Sequence, residues 1–159
     1  MDAQRERARK LFERALECQQ EGDLEGAIQL YQASIAAHPT AEAHTFLGWV
    51  YSFGHRYHDA IRECKRAISV DPTFGNPYND IGSYLVQLGQ DDDAVPWFYR
   101  AMDAPRYEAP HFPHLNLAKL YERRGDAVRA LSELTKADQK MPEVAEIITE
   151  IRRLQGRVN

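Results

Sequence analysis

Apolar residues recur along the chain at helical spacing, in paired segments separated by short polar turns. Within residues 41–72, Leu47 and Tyr51 share one helical face, and Ile61 and Ile68 share another. A proline then closes the second segment, because proline cannot continue a helix. The pattern predicts two amphipathic helices that pack against each other as a helical hairpin.

Small residues mark the same positions in four successive segments. The first of these positions holds alanine at intervals of 33, 34 and 36 residues: Ala27, Ala60, Ala94 and Ala130. A second small residue follows each alanine after seven residues: Ser34, Ala67, Ala101 and Ala137. A period near 34 residues in helical sequence predicts a stack of helical hairpins.

Residues 41–72 resemble the tetratricopeptide repeat, whose pattern is W-x2-L-G-x2-Y, then A-x3-F, then P. The corresponding residues here are His44, Leu47, Gly48, Tyr51, Ala60, Cys64 and Pro72. Gly48 and Ala60 are small residues inside the two apolar faces, so we expect the helices to approach closely there. His44 and Cys64 replace the bulky tryptophan and phenylalanine of the pattern. We therefore expect this unit to pack more loosely than the family pattern.

The resemblance covers residues 8–142 and implies an all-α, right-handed α-solenoid. We predict a single domain over residues 1–159, with helix-turn-helix repeats at about 8–39, 41–74, 75–108 and 111–142. A stripe of apolar residues after the fourth repeat predicts an amphipathic capping helix at about 143–155: Val144, Ile147, Ile148, Ile151 and Leu154.

Four features that depart from the pattern lead to further expectations. Arg14 stands where the pattern has leucine, which suits a terminal repeat with an open face. The run 91–93 is three aspartates at a predicted helix start, where carboxylates cap free N–H groups, and it lacks the ligand spacing of a calcium loop. Pro96 in the first turns of that helix removes a backbone hydrogen bond or delays the helix start. The proline-containing connection 103–114 is expected to absorb two extra residues.

Composition and charge narrow the class of function. The net charge of −4 disfavours nucleic acid as a partner, because phosphate binding requires a basic face. No apolar run approaches the roughly 18 residues that suggest a membrane span. The charged first ten residues show no secretory signal, and two cysteines on apolar helix faces suit a reducing compartment. We predict a cytoplasmic protein without a disulfide framework.

Catalytic and metal-binding motifs are not found in the sequence. It contains no phosphate-binding glycine loop, no H-E-x-x-H and no nucleophile elbow, so we predict no catalytic residues, no metal and no cofactor. His111 and His114 have helical spacing, but zinc requires three or four ligands. A metal sensor or enzyme built on these histidines and Glu108 is the weakest alternative.

Aromatic residues lie on the side of the 41–53 helix opposite its packing face. Measured from His44 at about 100° per residue, Phe46, Trp49 and Phe53 lie at about 200°, 140° and 180°. The resemblance implies that this side lines a concave groove that binds a peptide segment. The same register predicts the groove residues Phe12, Leu16, Phe46, Trp49, Phe53, Asn76, Asn79, Asp80, Ser83, Phe112, Lys119 and Arg123.

These residues describe a groove with an aromatic end, an amide-bearing middle and a basic edge. By resemblance the function is a non-catalytic protein-interaction module, acting as adaptor, scaffold or chaperone. Its partner would be a protein segment with apolar anchors and an acidic or polar flank. Three alternatives stay open: the aromatic residues fill space between hairpins, the protein's own termini cover them, or they pair with another copy in a homo-oligomeric scaffold.

Overall fold

Between Asp2 and Val158, the residues that the computed structural model describes, the chain forms nine α-helices and no β-strand. The helices are α1 (Ala3–Gln20), α2 (Leu24–Ala37), α3 (Ala41–Phe53), α4 (Tyr57–Val70), α5 (Asn76–Gln87), α6 (Asp91–Asp103), α7 (His111–Arg123), α8 (Ala127–Lys140) and α9 (Ala145–Val158). The first eight pair as four hairpins, and each hairpin packs on the next. The predicted fold class, an all-α solenoid of helical repeats, is confirmed.

The turn inside each hairpin contains one residue with a left-handed backbone. Three hairpins have glycine there, with φ of 83° at Gly22, 76° at Gly89 and 80° at Gly125. The second hairpin has His55, with φ of 59°. Glycine adopts this conformation freely, whereas a residue with a Cβ atom loses about 1 kcal/mol. The four hairpins therefore share one turn geometry despite different sequences.

The helices of the hairpins approach closely at the predicted small residues. A Cβ atom on Gly48 would lie 2.9 Å from the carbonyl oxygen of Ala60 and 3.3 Å from Sγ of Cys64. A Cβ atom on Gly82 would lie 2.5 Å from the ring of Phe98, which is fully buried. The predicted close approach in the second hairpin is confirmed, and the third hairpin repeats it.

Buried histidine–glutamate pairs occupy the place of the family's tryptophan in two hairpins. Nδ1 of His44 lies 2.8 Å from a carboxylate oxygen of Glu63, and Nδ1 of His114 lies 2.7 Å from one of Glu133. All four side chains are buried. The expectation of looser packing at His44 is wrong, because a hydrogen-bonded pair fills that place, and Cys64 is also fully buried as a free thiol.

Ionisation of Glu133 is favoured by its partners. Burial alone raises the pKa of this carboxyl, but the hydrogen bond with His114 and the charge of Lys136 outweigh burial and lower the pKa. The acidic partner of the buried pair is therefore a carboxylate at neutral pH.

Two aspartates at the start of α6 bind arginines at the C-terminal end of α7. The N-cap residue Gln90 forms no side-chain capping bond, and the three aspartates occupy the first turn, where their charge favours the helix dipole. Asp91 accepts a hydrogen bond from Arg123 at 2.7 Å, and Asp92 pairs with the following residue, Arg124. The capping role predicted for these aspartates is wrong, and α6 begins ahead of Pro96 without delay.

The connection between α6 and α7 folds back onto the second hairpin. The N–H of Gly75 donates to the carbonyl of Arg106 at 3.0 Å, and a Cβ atom on Gly75 would lie 2.5 Å from the ring of Tyr107. The guanidinium of Arg106 pairs with Glu42 and with Asp71, each at 2.8 Å. The connection thus absorbs its extra residues and also links α7 to an earlier repeat.

The last helix covers the flank of the fourth hairpin. α9 packs on α8, and Ile147 and Leu154 of α9 are fully buried. Its polar face is held by Arg153, which donates to both carboxylate oxygens of Glu122 at 2.6 and 2.7 Å. α9 therefore buries apolar surface that the fourth repeat would otherwise expose.

Candidate functional site

The first helices of the four hairpins, α1, α3, α5 and α7, form one continuous surface, which we call the first-helix surface. α3 contacts α5, and α5 contacts α7. The predicted site residues lie on these four helices. Their surroundings differ greatly along the surface, from an aromatic end at α1 and α3 to a polar end at α5 and α7.

A chain of four rings, the aromatic wall, runs across α1 and α3: Phe12, Phe46, Trp49 and Phe53. The ring centroids of Phe12 and Phe46 are 5.5 Å apart, those of Phe46 and Trp49 6.1 Å, and those of Trp49 and Phe53 5.1 Å. Trp49 and Phe53 keep 43% and 48% of their surface exposed. Edge-to-face and tilted contacts of this kind are the geometries that aromatic pairs prefer.

Phe46 differs from its neighbours in the wall because it is half-buried between hairpins. Its ring stacks on Tyr31 of α2 with centroids 6.2 Å apart and planes 9° apart. Leu16 is also half-buried and packs against the same core. Phe46 and Leu16 therefore form the base of the wall, while Trp49 and Phe53 form its exposed part.

The middle of the first-helix surface is polar and hydrogen-bonded. The amide of Asn116 on α7 donates to Oδ1 of Asn79 at 2.9 Å and to Oγ of Ser83 at 3.3 Å. Asn79 is buried, whereas Asn76 at the start of α5 is half-buried. These contacts join α5 and α7 directly below the surface.

Asp80 takes the place in α5 that Phe46 takes in α3, and it faces the preceding hairpin. The residue as a whole is half-buried, and burial of its carboxyl group raises the pKa to about 7. The pKa of the Cys64 thiol on α4 is raised well above its usual value, first by burial and then by the charge of Asp80. Asp80 therefore lies near α4, between hairpins, where the second hairpin has its stacked rings.

A cavity of about 250 Å³ lies between α5 and α7, with Phe98 of α6 at its base. Its lining residues are Ser83, Val86, Gln87, Phe98, Asn116, Lys119, Leu120 and Arg123. Lys119 and Arg123 are both exposed at its rim. The predicted basic edge is therefore part of a concave site together with Ser83.

Phe112 lies at the start of α7 and is 48% exposed. The centroid of its ring is 4.3 Å from that of His111.

The histidines of α7 do not converge on a common point. Nδ1 of His114 is bonded to Glu133, whereas Nδ1 of His111 is buried and bonded to no group in the part of the chain described. Burial lowers the pKa of His111, so its ring is neutral at pH 7. No cluster of three or more potential metal ligands occurs among residues 2–158.

The family comparison agrees with this geometry. A family model described as tetratricopeptide repeat matches residues 41–74, which form the second hairpin. The second hairpin is a tetratricopeptide repeat. No curated protein matches it by sequence.

Solved structures share the fold of all four repeats. PilF of Pseudomonas aeruginosa superposes with a TM-score of 0.87, 18% identity, and coverage of 98% of this chain and 71% of that chain. PilW, described as a widely conserved type IV pilus biogenesis factor, superposes with a TM-score of 0.81 and 19% identity. The match covers 93% of this chain and 68% of PilW. YrrB, described as a TPR protein with an unusual peptide-binding site, superposes with a TM-score of 0.67 and 20% identity. The match covers 92% of this chain and 75% of YrrB. At these identities the likeness is one of fold.

None of the helices between Asp2 and Val158 is long and apolar enough to cross a membrane.

Two features of the first-helix surface escaped the sequence analysis. Asn116 connects the third and fourth repeats, and it could have been found from its place in the repeat register, which matches that of Phe46. A second cavity, of about 360 Å³, lies beside Phe12 at the start of α1 and is lined in part by Arg5 and Arg9. No local sequence signal marks that cavity, because α1, α2 and α3 form it together.

Proposed function

We propose that this chain is a non-catalytic protein-interaction module that binds an extended segment of another protein along the first-helix surface. The observation that carries the proposal is the exposure of Trp49 and Phe53 beside each other on α3, supported from beneath by Phe46. Large rings held exposed and adjacent are typical of binding sites, because a partner that covers them buries much apolar area.

The aromatic wall is suited to apolar side chains of a peptide. Its base is fixed by packing between hairpins, so the exposed rings lose little conformational freedom when a ligand covers them. Each covered ring would contribute about 2 kcal/mol of binding free energy, the order of an interface hot spot. The peptide-binding site named for YrrB is support by analogy of fold only.

The role of such a module would be that of an adaptor, scaffold or chaperone. Two free cysteines favour a reducing compartment, and we place this activity in the cytoplasm.

The test compares the double variant Trp49→Ser, Phe53→Ser with the wild type in selection from a phage-displayed library of random dodecapeptides. Tyr99→Ser is the matched control, because Tyr99 on α6 is exposed to the same 43% as Trp49 but lies on a second helix. Circular dichroism confirms that each variant keeps its helical content. We expect wild type and control to enrich peptides with apolar anchors, and the double variant to lose that enrichment.

Two outcomes would contradict the proposal. One is selection of the same peptides by the double variant. The other is a concentration-dependent dimer in sedimentation velocity that the double variant abolishes, with no peptide enriched by the wild type. That second result would favour the homo-oligomeric scaffold, in which a second copy covers the wall.

A further inference from the structure

A cleft of about 450 Å³ lies between α4 and α6, the second helices of two neighbouring hairpins, and we call it the second-helix cleft. Its base is apolar and consists of Ile61, Ile81 and Leu85, which are buried or half-buried. Its other lining residues are Lys65, Gln90, Asp92, Asp93, Pro96, Trp97 and Arg100. The aromatic wall lies on the first helices α1 and α3, so the two surfaces have no residue in common.

One position of the repeat holds a cation that is neutralised in two hairpins but not in the third. In the second and fourth hairpins a glutamate three positions earlier binds this cation, in the pairs Arg66–Glu63 at 2.5 Å and Lys136–Glu133 at 3.5 Å. In the third hairpin the same two positions hold Arg100 and Trp97. Because a tryptophan replaces the glutamate, Arg100 lacks the carboxylate that its counterparts have.

Aromatic rings contact Arg100 instead. Cζ of its guanidinium lies 4.5 Å from the ring centroid of Trp97 and 4.9 Å from that of Tyr78. Nζ of Lys65 on α4 lies 5.9 Å from the Trp97 centroid, so two cations from facing helices lie close to one ring. A guanidinium over a ring face keeps the N–H groups at its edge available for a carboxylate.

Neither cation has an anionic partner among residues 2–158. Lys65 and Arg100 are both exposed, and within that range they form no ion pair and no side-chain hydrogen bond. Asp92 of the cleft pairs with an arginine at the end of α7. Asp93 lies in the first turn of α6, seven positions and about 10 Å along the helix from Arg100. The end of the cleft at the two cations therefore has an excess of positive charge.

We propose that the second-helix cleft is a second protein-binding site, which takes an acidic side chain of a partner protein at Lys65 and Arg100. The carboxylate of the partner replaces the glutamate that the third hairpin lacks, and it accepts charge-assisted hydrogen bonds from an ammonium and a guanidinium. Apolar side chains beside the acid pack on Trp97 and the base of the cleft. Because this site is separate from the aromatic wall, one chain can bind two segments at once and bridge two partners.

The test begins with a bait that lacks the exposed part of the aromatic wall, Trp49→Ser, Phe53→Ser, so that other surfaces select the ligand. This bait is presented to a phage-displayed library of random dodecapeptides. We expect it to enrich peptides in which a glutamate or aspartate lies beside apolar residues.

The selection is repeated after the two cations of the cleft are removed from the bait by Lys65→Gln, Arg100→Gln. The matched control carries Lys140→Gln, Arg152→Gln, which removes the same charge from exposed side chains of α8 and α9. Circular dichroism confirms that each bait keeps its helical content. The control should enrich the same acidic peptides, whereas the variant of the cleft should lose them.

A second measurement leaves both cations in place and uses Trp97 itself as the probe. The chain has two tryptophans, so Trp97 is the single one in Trp49→Phe, and its emission reports binding at the cleft. Titration with a synthetic copy of a selected peptide should change this emission. A copy in which the acid is replaced by its amide should bind about tenfold more weakly, the order of one charge-assisted hydrogen bond.

Three results would overturn the second site. The bait without the wall could enrich no acidic peptide, Lys65→Gln, Arg100→Gln could keep the selected peptides, or the acid and amide copies could bind equally. The proposed function on the first-helix surface is tested separately by selection on the wild type. Failure of that selection to depend on Trp49 and Phe53 leaves the second-helix cleft unaffected, because its bait contains neither ring.

Discussion

Replacing Gly82 by alanine places a methyl group against the fully buried ring of Phe98 in the third hairpin. The new Cβ atom would lie 2.5, 2.7 and 2.8 Å from Cε1, Cδ1 and Cζ of Phe98. Carbon atoms attract each other best at about 3.5–4.0 Å, so the ring has to move by about 1 Å. Phe98 is fully buried, so such a movement disturbs its neighbours.

The magnitude follows from two opposing effects. Overpacking of this kind destabilises a protein by about 1–3 kcal/mol. Alanine in place of glycine in a helix interior stabilises by about 1 kcal/mol. Gly156 in α9 provides the reference, because a Cβ atom there meets no other group within 4 Å. We expect Gly82→Ala to be less stable than Gly156→Ala by about 1–3 kcal/mol, since the helix-propensity gain is common to both.

The fourth repeat provides the compensating change. Ala118 and Leu134 occupy there the places of Gly82 and Phe98, and both are buried. The double variant Gly82→Ala, Phe98→Leu should therefore recover part of the loss, with a coupling free energy of about 1 kcal/mol in a double-mutant cycle. Free energies of unfolding come from urea titration followed by circular dichroism. A Gly82→Ala variant as stable as Gly156→Ala, or a coupling of zero, would contradict a steric clash between residue 82 and Phe98.

Two further predictions concern pH. Because the pKa of Glu133 is lowered in the folded state, its ionised form stabilises the protein above the unfolded pKa, and this stabilisation is lost as pH falls through the folded pKa. The difference in free energy of unfolding between wild type and Glu133→Gln, measured by urea titration, should thus shrink as pH falls from about 6 to about 3. A difference independent of pH would contradict an ionised Glu133. For Asp80 the effect of pH on stability is opposite: burial raises its pKa in the folded state to about 7, so ionisation of this carboxyl destabilises the fold. Asp80→Asn should gain stability relative to the wild type as pH rises from about 4 to about 7 and show a constant difference above that; a flat difference over this range would show that the carboxyl is not desolvated.

The candidate site could be predicted from the sequence only in part. Their positions within the repeat place Trp49 and Phe46 on the same side of α3. In the structure, however, Trp49 is exposed, whereas Phe46 stacks on Tyr31 of the preceding hairpin. Likewise Asp80, predicted to line the groove, lies half-buried near α4. A helical angle tells which side a residue faces, but its burial depends on the size of the side chains on the neighbouring helix.

From the sequence alone one can predict the repeat, the hairpins and the side of each first helix that faces away from its partner helix. These follow from the 3.6-residue period of the helix and from small residues recurring near every 34 positions, both of which are local properties of the chain. The tertiary structure alone shows that Glu63 and Glu133 form hydrogen bonds with the buried histidines, that Asn116 joins two repeats, and that Lys119 borders a cavity. Each of these features depends on residues from different helices that lie close together in space. The two residues of each histidine–glutamate pair, for example, are 19 positions apart in sequence, and no local pattern encodes such a contact.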